Sequence, residues 1–431
     1  MRRLFKLSTP ALCLVVLFTS VSIRSAGQTR IRRSRRAYTA DRGHSSRPPV
    51  SLGNWSQVAR LIQQDGQYFG EFGISVAIDG DTIAVCNLFN GGTFLFVRPP
   101  TGWRDVLPTA TLSAPANAGL SVAISEDTIV VGSPDYQSTP GIAYVYVKPA
   151  GGWTSMGPTA TLTPSDTIDP GFGGSVAISG DTIVVGDSEN NSNTGAAYVF
   201  VKPKGGWTNM TQTAKLTASD GLTNDYFGVV SISNNTIAIG APQNFLETGK
   251  AYIFVKPQNG WRNATQSAEL TATDVTTSSL FGSAVSIDND TIAVGAPVYP
   301  SPYGGTPPGE AYVYVKPVTG WTNMSQTAKL LPIDGTGDNQ FGSALLVRGK
   351  TVVVSGPYRF VPPNFDEGGA YVFEEPANGW KDLTSSIVLT ASGARNFALL
   401  GQSIGLSKNV MVLGAPAVHF SGVAYVFEQP Q

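Results

Sequence analysis

Short apolar runs alternate with polar turns along residues 54–430, and the runs recur in a fixed order. In its fullest form one unit reads W-x8-L, a polar loop, F-G-x-S-V-A-I-x-G-D-T-I-A-V-G-A-P, a second loop and A-Y-V-F-V-K-P. Val, Ile, Tyr and Phe dominate the runs, and none keeps a helical period, so each unit is predicted to hold four β-strands. A repeat of this length indicates a solenoid, a propeller or an array. The units begin at the seven tryptophans Trp55, Trp103, Trp153, Trp207, Trp261, Trp321 and Trp380.

Very short turns separate the first two strands of each unit. They include Gly80-Asp81, Gly180-Asp181, Asn234-Asn235 and Asn289-Asp290. Gly and Asn tolerate the positive φ that tight hairpins require. Charged residues are only 14% of the chain, with 48 Gly and 29 Pro, which is typical of many short strands joined by turns.

Seven units of four antiparallel strands predict an all-β fold, a seven-bladed β-propeller. The last unit stops after its third strand and lacks a fourth. A strand of the missing kind, Trp55 to Leu61, stands at the other end of the chain, before the first Phe72-Gly73. We therefore expect the N-terminal strand to complete the C-terminal blade and to close the ring. An open solenoid would have no use for this offset.

The Phe-Gly dipeptide followed by a strand, a hairpin and Gly-Ala-Pro resembles the FG-GAP repeats of the integrin α-subunit propeller and its bacterial relatives. Phe-Gly stands at Phe72, Phe172, Phe227, Phe281 and Phe341, and is weakened to Ala118-Gly119 and Leu400-Gly401. The resemblance implies an adhesion or protein-interaction module. It also implies calcium loops between the first two strands, but here these loops are two-residue turns, and calcium needs six to eight converging oxygens. Calcium is not expected at that position, and no cofactor is predicted.

Residues 1–27 have the basic start and short apolar core of a signal peptide, and residues 28–50 form a basic linker without apolar periodicity. The propeller is assigned to residues 51–431. The sequence thus predicts a secreted, periplasmic or cell-surface protein, with an uncleaved membrane anchor as the alternative. Cys86 is then the only mature cysteine, so no intrachain disulfide is expected.

Strand order assigns every loop to one of two faces. Hairpins between strands one and two, and between three and four, lie on the bottom face. Loops between strands two and three, and between successive units, lie on the top face and vary in length, which favours binding there. Top loops are rich in Asp and Glu and carry only Lys250, Arg359 and Arg395 as bases, whereas the bottom loops are balanced. This negative field favours basic proteins, cations or neutral glycans and disfavours nucleic acid.

Aromatic residues accompany these acids, as in glycan-stacking sites and protein hot spots. We predict a ligand-binding surface that includes Tyr136, Asp225, Tyr226, Tyr299, Tyr303, Tyr358, Arg359, Phe360, Asp366, Glu367 and His419. Secondary metal candidates are the spaced carboxylates Asp334 with Asp338 and Asp220 with Asp225. The alternative is that the acids only solubilise this face and form turns.

No nucleophile elbow, zinc-protease motif, Cys-x-x-Cys or phosphate loop occurs, so no catalytic residue is predicted. The predicted function is an exported, monomeric binding or adhesion module for a protein or neutral glycan. Two alternatives stay open: a polysaccharide lyase or glycosidase that uses top-face carboxylates, and a purely structural cell-surface protein.

Overall fold

The computed structural model describes most of the repeat region, and the predicted signal peptide and basic linker lie outside the described residues. The described residues are 54–430, with gaps at 64–69, 89–91, 115–118, 136–139, 167–169, 243–247, 277–278, 299–307, 336–338, 362–363, 386 and 419–420.

Almost all regular structure is β-strand. The strands of the first half are β1 (Ser56–Leu61), β2 (Val76–Asp79), β3 (Thr82–Asn87), β4 (Gly92–Val97), β5 (Ala110–Ser113), β6 (Ser121–Ser125), β7 (Thr128–Ser133), β8 (Ile142–Val147), β9 (Ala160–Thr163), β10 (Ser175–Ser179), β11 (Thr182–Asp187), β12 (Ala196–Val201), β13 (Met210–Thr211) and β14 (Ala214–Leu216), with one helical turn, α1 (Asn190–Asn193). Those of the second half are β15 (Val229–Ser233), β16 (Thr236–Ala241), β17 (Lys250–Val255), β18 (Ala268–Thr271), β19 (Ala284–Asp288), β20 (Thr291–Ala296), β21 (Glu310–Val315), β22 (Met324–Ser325), β23 (Ala328–Leu331), β24 (Leu345–Arg348), β25 (Thr351–Ser355), β26 (Ala370–Glu374), β27 (Leu383–Thr384), β28 (Ile387–Leu389), β29 (Ser403–Ser407), β30 (Val410–Ala415) and β31 (Val423–Glu428).

These strands form the seven sheets that the sequence predicts. Blades 1 to 6 begin with β2, β6, β10, β15, β19 and β24 at the inner edge, and each continues outward as an antiparallel meander of four strands. In three of these sheets a short fifth strand, β13, β22 or β27, pairs in parallel at the outer edge. Blade 7 has the order β29, β30, β31 and β1. Its outer strand pairs Ser56 with Glu428 and Leu61 with Ala424. Closure of the ring by the N-terminal strand is therefore confirmed.

The short hairpin turns follow the prediction as well. The first turn residue has a positive φ, at +53° for Gly80, +54° for Gly180 and Asn234, and +51° for Asn289. Lys408 takes the same conformation at +53° although it is not a residue that favours it. The face that carries these turns is called the bottom face below, and the face that carries the Phe-Gly motifs is the top face.

The tryptophans bind neighbouring blades together at the outer edge, and all seven are buried. The segment after each one runs along the outer strand of the preceding blade. Met210, for example, pairs in parallel with Leu162, and the Asn209 side chain accepts a hydrogen bond from the Thr161 amide at 2.9 Å. Trp207 itself packs in a cluster with Leu162 of blade 2 and Phe200 of blade 3. The tryptophans thus have structural positions between blades.

The repeated glycines allow adjacent backbones to touch. A Cβ on Gly240 of blade 4 would lie 2.0 Å from the Gly282 carbonyl of blade 5, and one on Gly249 would lie 2.0 Å from the Phe281 carbonyl. In the five blades that have a glycine at this position, it packs against the backbone of the Phe-Gly motif of the next blade. Cys86 and Ser355 replace this glycine in blades 1 and 6. The following units are the two in which Phe-Gly is weakened.

A ring of hydrogen bonds links the inner strands near the bottom face. In each, the amide of the first turn residue donates to the side chain that ends the inner strand of the preceding blade; we call each one a staple. The six pairs are Glu126 with Asp79, Gly180 with Ser125, Asn234 with Ser179, Asn289 with Ser233, Gly349 with Asp288 and Gly80 with Ser407. At the seventh junction the turn residue is Lys408 and the inner strand of the preceding blade ends in Arg348, whose side chain has no acceptor atom. Within the described ring, the junction of blades 6 and 7 is therefore the one without a staple.

Candidate functional site

The candidate site lies on the top face above the junction of blades 6 and 7. Here the loop between β25 and β26 runs beside the connection from β28 to β29. The Phe397 amide donates to the Phe365 carbonyl at 2.7 Å, and the Leu400 amide donates to the Glu367 carbonyl at 3.0 Å. The Phe365 amide donates to the Asn396 side chain at 2.7 Å. Backbone pairing therefore fixes the two segments side by side.

Three phenylalanines stand exposed on this paired structure. The exposed fractions are 45% for Phe360, 61% for Phe365 and 60% for Phe397. The rings of Phe360 and Phe365 are 5.2 Å apart at a tilt of 42°. Clustered exposed aromatic side chains on a soluble protein mark surfaces for interaction more often than isolated ones do. We call Phe360, Phe365 and Phe397 the phenylalanine patch.

The backbone beneath the phenylalanine patch is strained. Asp366, Phe397 and Leu399 have φ values of +51°, +63° and +56°. The left-handed region costs an ordinary residue roughly 1–2 kcal/mol, and such conformations cluster at functional sites. The strain persists because the hydrogen bonds of the two segments determine their path.

Arg359 and Asp334 form an internal brace next to the patch. Arg359 Nε donates to Asp334 Oδ2 at 2.5 Å, and the Tyr371 hydroxyl donates to Asp334 Oδ1 at 2.7 Å. Most of the Arg359 side chain is covered. Arg359 thus holds the loop against blade 6 instead of standing free on the surface.

The three remaining candidates on this loop differ in exposure. Asp366 is half-buried, and burial raises the pKa of its carboxyl group. Burial, and then the charge of Asp366, raise the pKa of the Tyr358 phenol. Glu367 is only 5% exposed and accepts a hydrogen bond from Asn364 Nδ2 at 2.6 Å. The expectation that Glu367 is displayed to a ligand is therefore wrong, since its side chain is buried and its charge acts on Tyr425 of blade 7.

Asp225 and Tyr226 lie in the top loop that leads into blade 4, away from the phenylalanine patch. Both are buried, and Tyr226 is 8% exposed. Asp225 Oδ2 accepts the Leu222 amide at 2.7 Å, while the Tyr226 amide donates to the Asn193 carbonyl at 2.8 Å. The expectation that Asp225 and Tyr226 are displayed to a ligand is therefore wrong, since both are buried, Tyr226 with a left-handed φ of +55°.

The segment that Tyr226 contacts is the helical turn α1. It is not an ordinary helix, because Asn191, Ser192 and Asn193 all have positive φ, at +52°, +59° and +63°. Asn is the side chain that tolerates this conformation best after Gly. The Asn193 side chain donates to Asn224 Oδ1 at 3.0 Å, so the turn is tied to the loop of the next blade.

The metal candidate Asp220 is already engaged by the protein. Its two oxygens accept Lys250 Nζ at 2.5 Å and the Tyr252 hydroxyl at 3.0 Å. Burial opposes the charged form, but the hydrogen bonds from Lys250 and Tyr252 and the charge of Lys250 hold the pKa of Asp220 below its usual value. Asp166 and Asp274 have equivalent tyrosine and lysine partners. Across residues 54–430, leaving out the gaps, no three metal-binding side chains come together.

The ion pairs of these aspartates with lysines reduce the net negative charge of the top face. Lys215 and Lys329 belong to the outer strands β14 and β23, so loop composition did not include them. Lys215 Nζ lies against Asp166, and Lys329 Nζ is 2.6 Å from Asp274 and 2.5 Å from Glu310. The negative field of this face is therefore weaker than the loops alone suggest.

Several predicted positions fall outside the described residues. These are Tyr136, Tyr299, Tyr303, His419 and the metal candidate Asp338. Of the predicted ligand-binding residues that the structure describes, it brings together Tyr358, Arg359, Phe360, Asp366 and Glu367. The sequence does not predict Phe397 as a site residue, because it lies in the polar loop just before Leu400-Gly401, the weakened Phe-Gly copy. A large apolar residue next to a turn-forming Asn is the signal that marks it.

Comparison with protein families agrees with the repeat and the blades. The model described as "FG-GAP repeat" matches residues 55–92, 157–200, 210–254, 264–314 and 324–373, which is more than half of the chain. The chain belongs to the FG-GAP repeat family. A comparison with curated proteins found no match.

Solved structures resemble this FG-GAP propeller in fold alone. The crystal structure of the WD40 β-propeller domain of Doa1 has a TM-score of 0.52 at 12% identity, covering 88% of this chain and 98% of that one. The computationally designed Ika8 protein has a TM-score of 0.45 at 12% identity, covering 86% and 98%. Within the described ranges, no helix of this FG-GAP protein is long and apolar enough to cross a membrane.

Proposed function

We propose that this FG-GAP propeller is an exported binding module that takes a protein ligand on the top face, at the junction of blades 6 and 7. The phenylalanine patch is the observation that supports this proposal. Three exposed aromatic side chains lie on two segments that are hydrogen-bonded to each other, and the buried residues Ala394, Ala398 and Leu400 anchor one of these segments in the core.

The chemistry of the patch favours a protein over a glycan. Phenylalanine has an apolar ring without a hydrogen-bonding group, and aromatic anchors of this kind dominate protein interfaces. Glycan sites combine stacking rings with convergent polar groups, whereas here Arg359 and Glu367 are occupied by Asp334 and Asn364. Asp366 is the polar group that lies beside the rings, and it suits a basic partner residue.

Protein and glycan arrays probed with the full chain test this proposal. The test variant is the double substitution Phe365→Ser with Phe397→Ser. The matched control is Leu222→Ser, which removes a 58% exposed apolar side chain from another top loop. We expect at least one protein ligand whose binding is lost in the double variant and kept in the control. Truncation of a central aromatic anchor costs about 2 kcal/mol or more, which corresponds to about thirtyfold in affinity.

Three results would contradict the proposal. Equal loss in both variants would show that the patch is not special, and absence of binding above background at any salt concentration would favour a structural protein. Polysaccharide turnover that disappears in Asp366→Asn while binding persists would favour the carboxylate enzyme instead. Export is tested separately by sequencing the mature N-terminus, which we expect to follow residue 27.

A further inference from the structure

Charge is divided unevenly around the bottom face at the end of the central channel. In blades 1 to 5 the inner strands and their turns end in acids or neutral residues, including Asp79, Asp81 and Asp288. In blades 6 and 7 the same positions carry Arg348, Lys350 and Lys408, all three exposed. Three bases therefore lie on two adjacent hairpin ends, at the junction that lacks a staple.

Four bases elsewhere on the bottom face are paired in a regular way, namely Arg98, Lys148, Lys202 and Lys316. The base at the end of the third strand meets the acid of the neighbouring hairpin turn, as in Lys202 with Asp181 at 3.0 Å and Lys316 with Asp290 at 3.1 Å. In blade 6 this pattern is reversed, with Lys350 in the turn and Glu375 at the position of the base, and the Glu375 amide donates to the Lys350 carbonyl at 2.7 Å. Among the described residues, Arg348, Lys350 and Lys408 form no ion pair.

The missing staple adds a hydrogen-bond donor to these charges. At the six other junctions the turn amide donates to a Ser or Asp oxygen of the preceding blade. At the Lys408 position that oxygen is replaced by a guanidinium group, which offers only donors. An amide, a guanidinium and two ammonium groups together match an oxyanion, whose oxygens accept charge-assisted hydrogen bonds.

The channel provides the room for such a ligand. It encloses about 390 Å³ and is lined at this junction by Arg348 and Gly405. The inner strand of the preceding blade ends in an acid, Asp288, at the neighbouring junction. Its Oδ2 accepts the Gly349 amide at 2.7 Å, and its Oδ1 accepts the Asn289 side chain at 3.3 Å. Asp288 thus has partners of its own and does not pair with Arg348.

We propose that the bottom mouth of the channel, between blades 6 and 7, binds a small oxyanion, namely phosphate, sulfate or a carboxylate. Arg348 is the central residue, with Lys350 and Lys408 flanking it and the Lys408 amide as a further donor. This site lies on the face opposite the phenylalanine patch and does not depend on the proposed ligand there.

Thermal unfolding of the full chain in matched buffers tests the site. Sodium phosphate, sulfate and acetate are each compared with sodium chloride at equal ionic strength, so that general screening cancels. A ligand that binds only the folded state raises Tm as its concentration exceeds its Kd. Arg348→Ser removes the charge and introduces the residue that four other blades have at this position, so it is expected to fold. Lys256→Ala, on the bottom face of blade 4, is the control for loss of one base.

We expect phosphate or sulfate to raise Tm in the native chain and in Lys256→Ala, and this rise to be lost in Arg348→Ser. Acetate separates a carboxylate ligand from a tetrahedral one, since a preference for acetate would assign the site to carboxylates. A rise no greater than in chloride, or an equal rise in Arg348→Ser, would overturn the proposal. Broadening of the phosphorus resonance of inorganic phosphate by the native chain, and not by Arg348→Ser, provides a direct readout of binding.

Discussion

Replacing Arg348 with serine is expected to stabilise the propeller. The substitution returns a hydroxyl acceptor to the junction of blades 6 and 7, where the Lys408 amide has none in the described part of the ring. Ser179, the equivalent residue of blade 3, accepts the Asn234 amide at 3.0 Å. Because the inner strands repeat with the same geometry, the introduced hydroxyl would meet the Lys408 amide in the same way.

The expected gain is that of one hydrogen bond made on folding. Such a bond contributes about 0.5–1.5 kcal/mol. Arg348 is exposed and has no ion pair in the described residues, so its removal costs no compensating interaction. The net change in the free energy of unfolding is therefore expected to be about +1 kcal/mol.

Urea unfolding followed by tryptophan fluorescence measures this change, because all seven indoles are buried between blades. The buffer should contain chloride without phosphate or sulfate, so that an oxyanion at Arg348 does not stabilise the native chain alone. Ser179→Ala is the mirror experiment, because it removes an existing staple and should lower stability by about the same amount.

The reasoning fails if Arg348→Ser has an unchanged or lower midpoint while Ser179→Ala is destabilised. In that case staples contribute to stability, but the Lys408 amide is not placed to form one. If neither variant differs from the native chain, the staples contribute nothing measurable at any junction.

Three further changes probe other parts of the fold. Gly240→Ala should destabilise by roughly 1–3 kcal/mol or more, since its Cβ would lie 2.0 Å from the Gly282 carbonyl, whereas Gly205→Ala, which meets open space, should have little effect on the unfolding midpoint. Phe397→Gly should raise stability by about 1 kcal/mol by relieving a left-handed φ while it weakens ligand binding, and lower stability would refute stored strain. Burial raises the pKa of Cys86 to about 12, above its ordinary value of 9.0, so its contribution to stability should be complete below pH 9 and lost as pH rises towards 12. Cys86→Ala should reduce this alkaline loss in a pH titration, and a thiol reagent should label native Cys86 only upon unfolding.

The sequence predicts this fold well because the same local signals are repeated seven times. Each tryptophan, tight turn and Phe-Gly dipeptide is ambiguous alone, and the offset of β1 decides that the ring closes. The site is predicted less well because exposure depends on backbone paths that no periodicity encodes. Tyr226 and Phe397 both follow polar loops and both have positive φ, yet the first ring is buried and the second is exposed.

Contacts between blades account for the remaining differences. Lys215 belongs to a strand in the sequence, but its amine reaches Asp166 of the adjoining top loop. In the sequence, Arg348 is an ordinary exposed base. Its special position becomes clear only in the structure, where its six counterparts accept hydrogen bonds from backbone amides of the next blade. The structural roles of these residues depend on partners some 45 to 60 positions away in the sequence. Comparison of the repeats reveals these roles only once the three-dimensional pairing is known.

Closure of blade 7 by β1 also decides how the ring would carry a mechanical load. β1 starts at the bottom face, where Ser56 pairs with Glu428, and ends at the top with Leu61 beside Ala424. A chain held by the residues before Ser56 and pulled through the phenylalanine patch is loaded along the axis of this strand. The hydrogen bonds of β1 then share the force in shear and do not open one after another as in a zipper. Blade 7 is the blade in which two neighbouring strands, β1 and β31, are not joined by a loop. It is thus also arranged to resist tension.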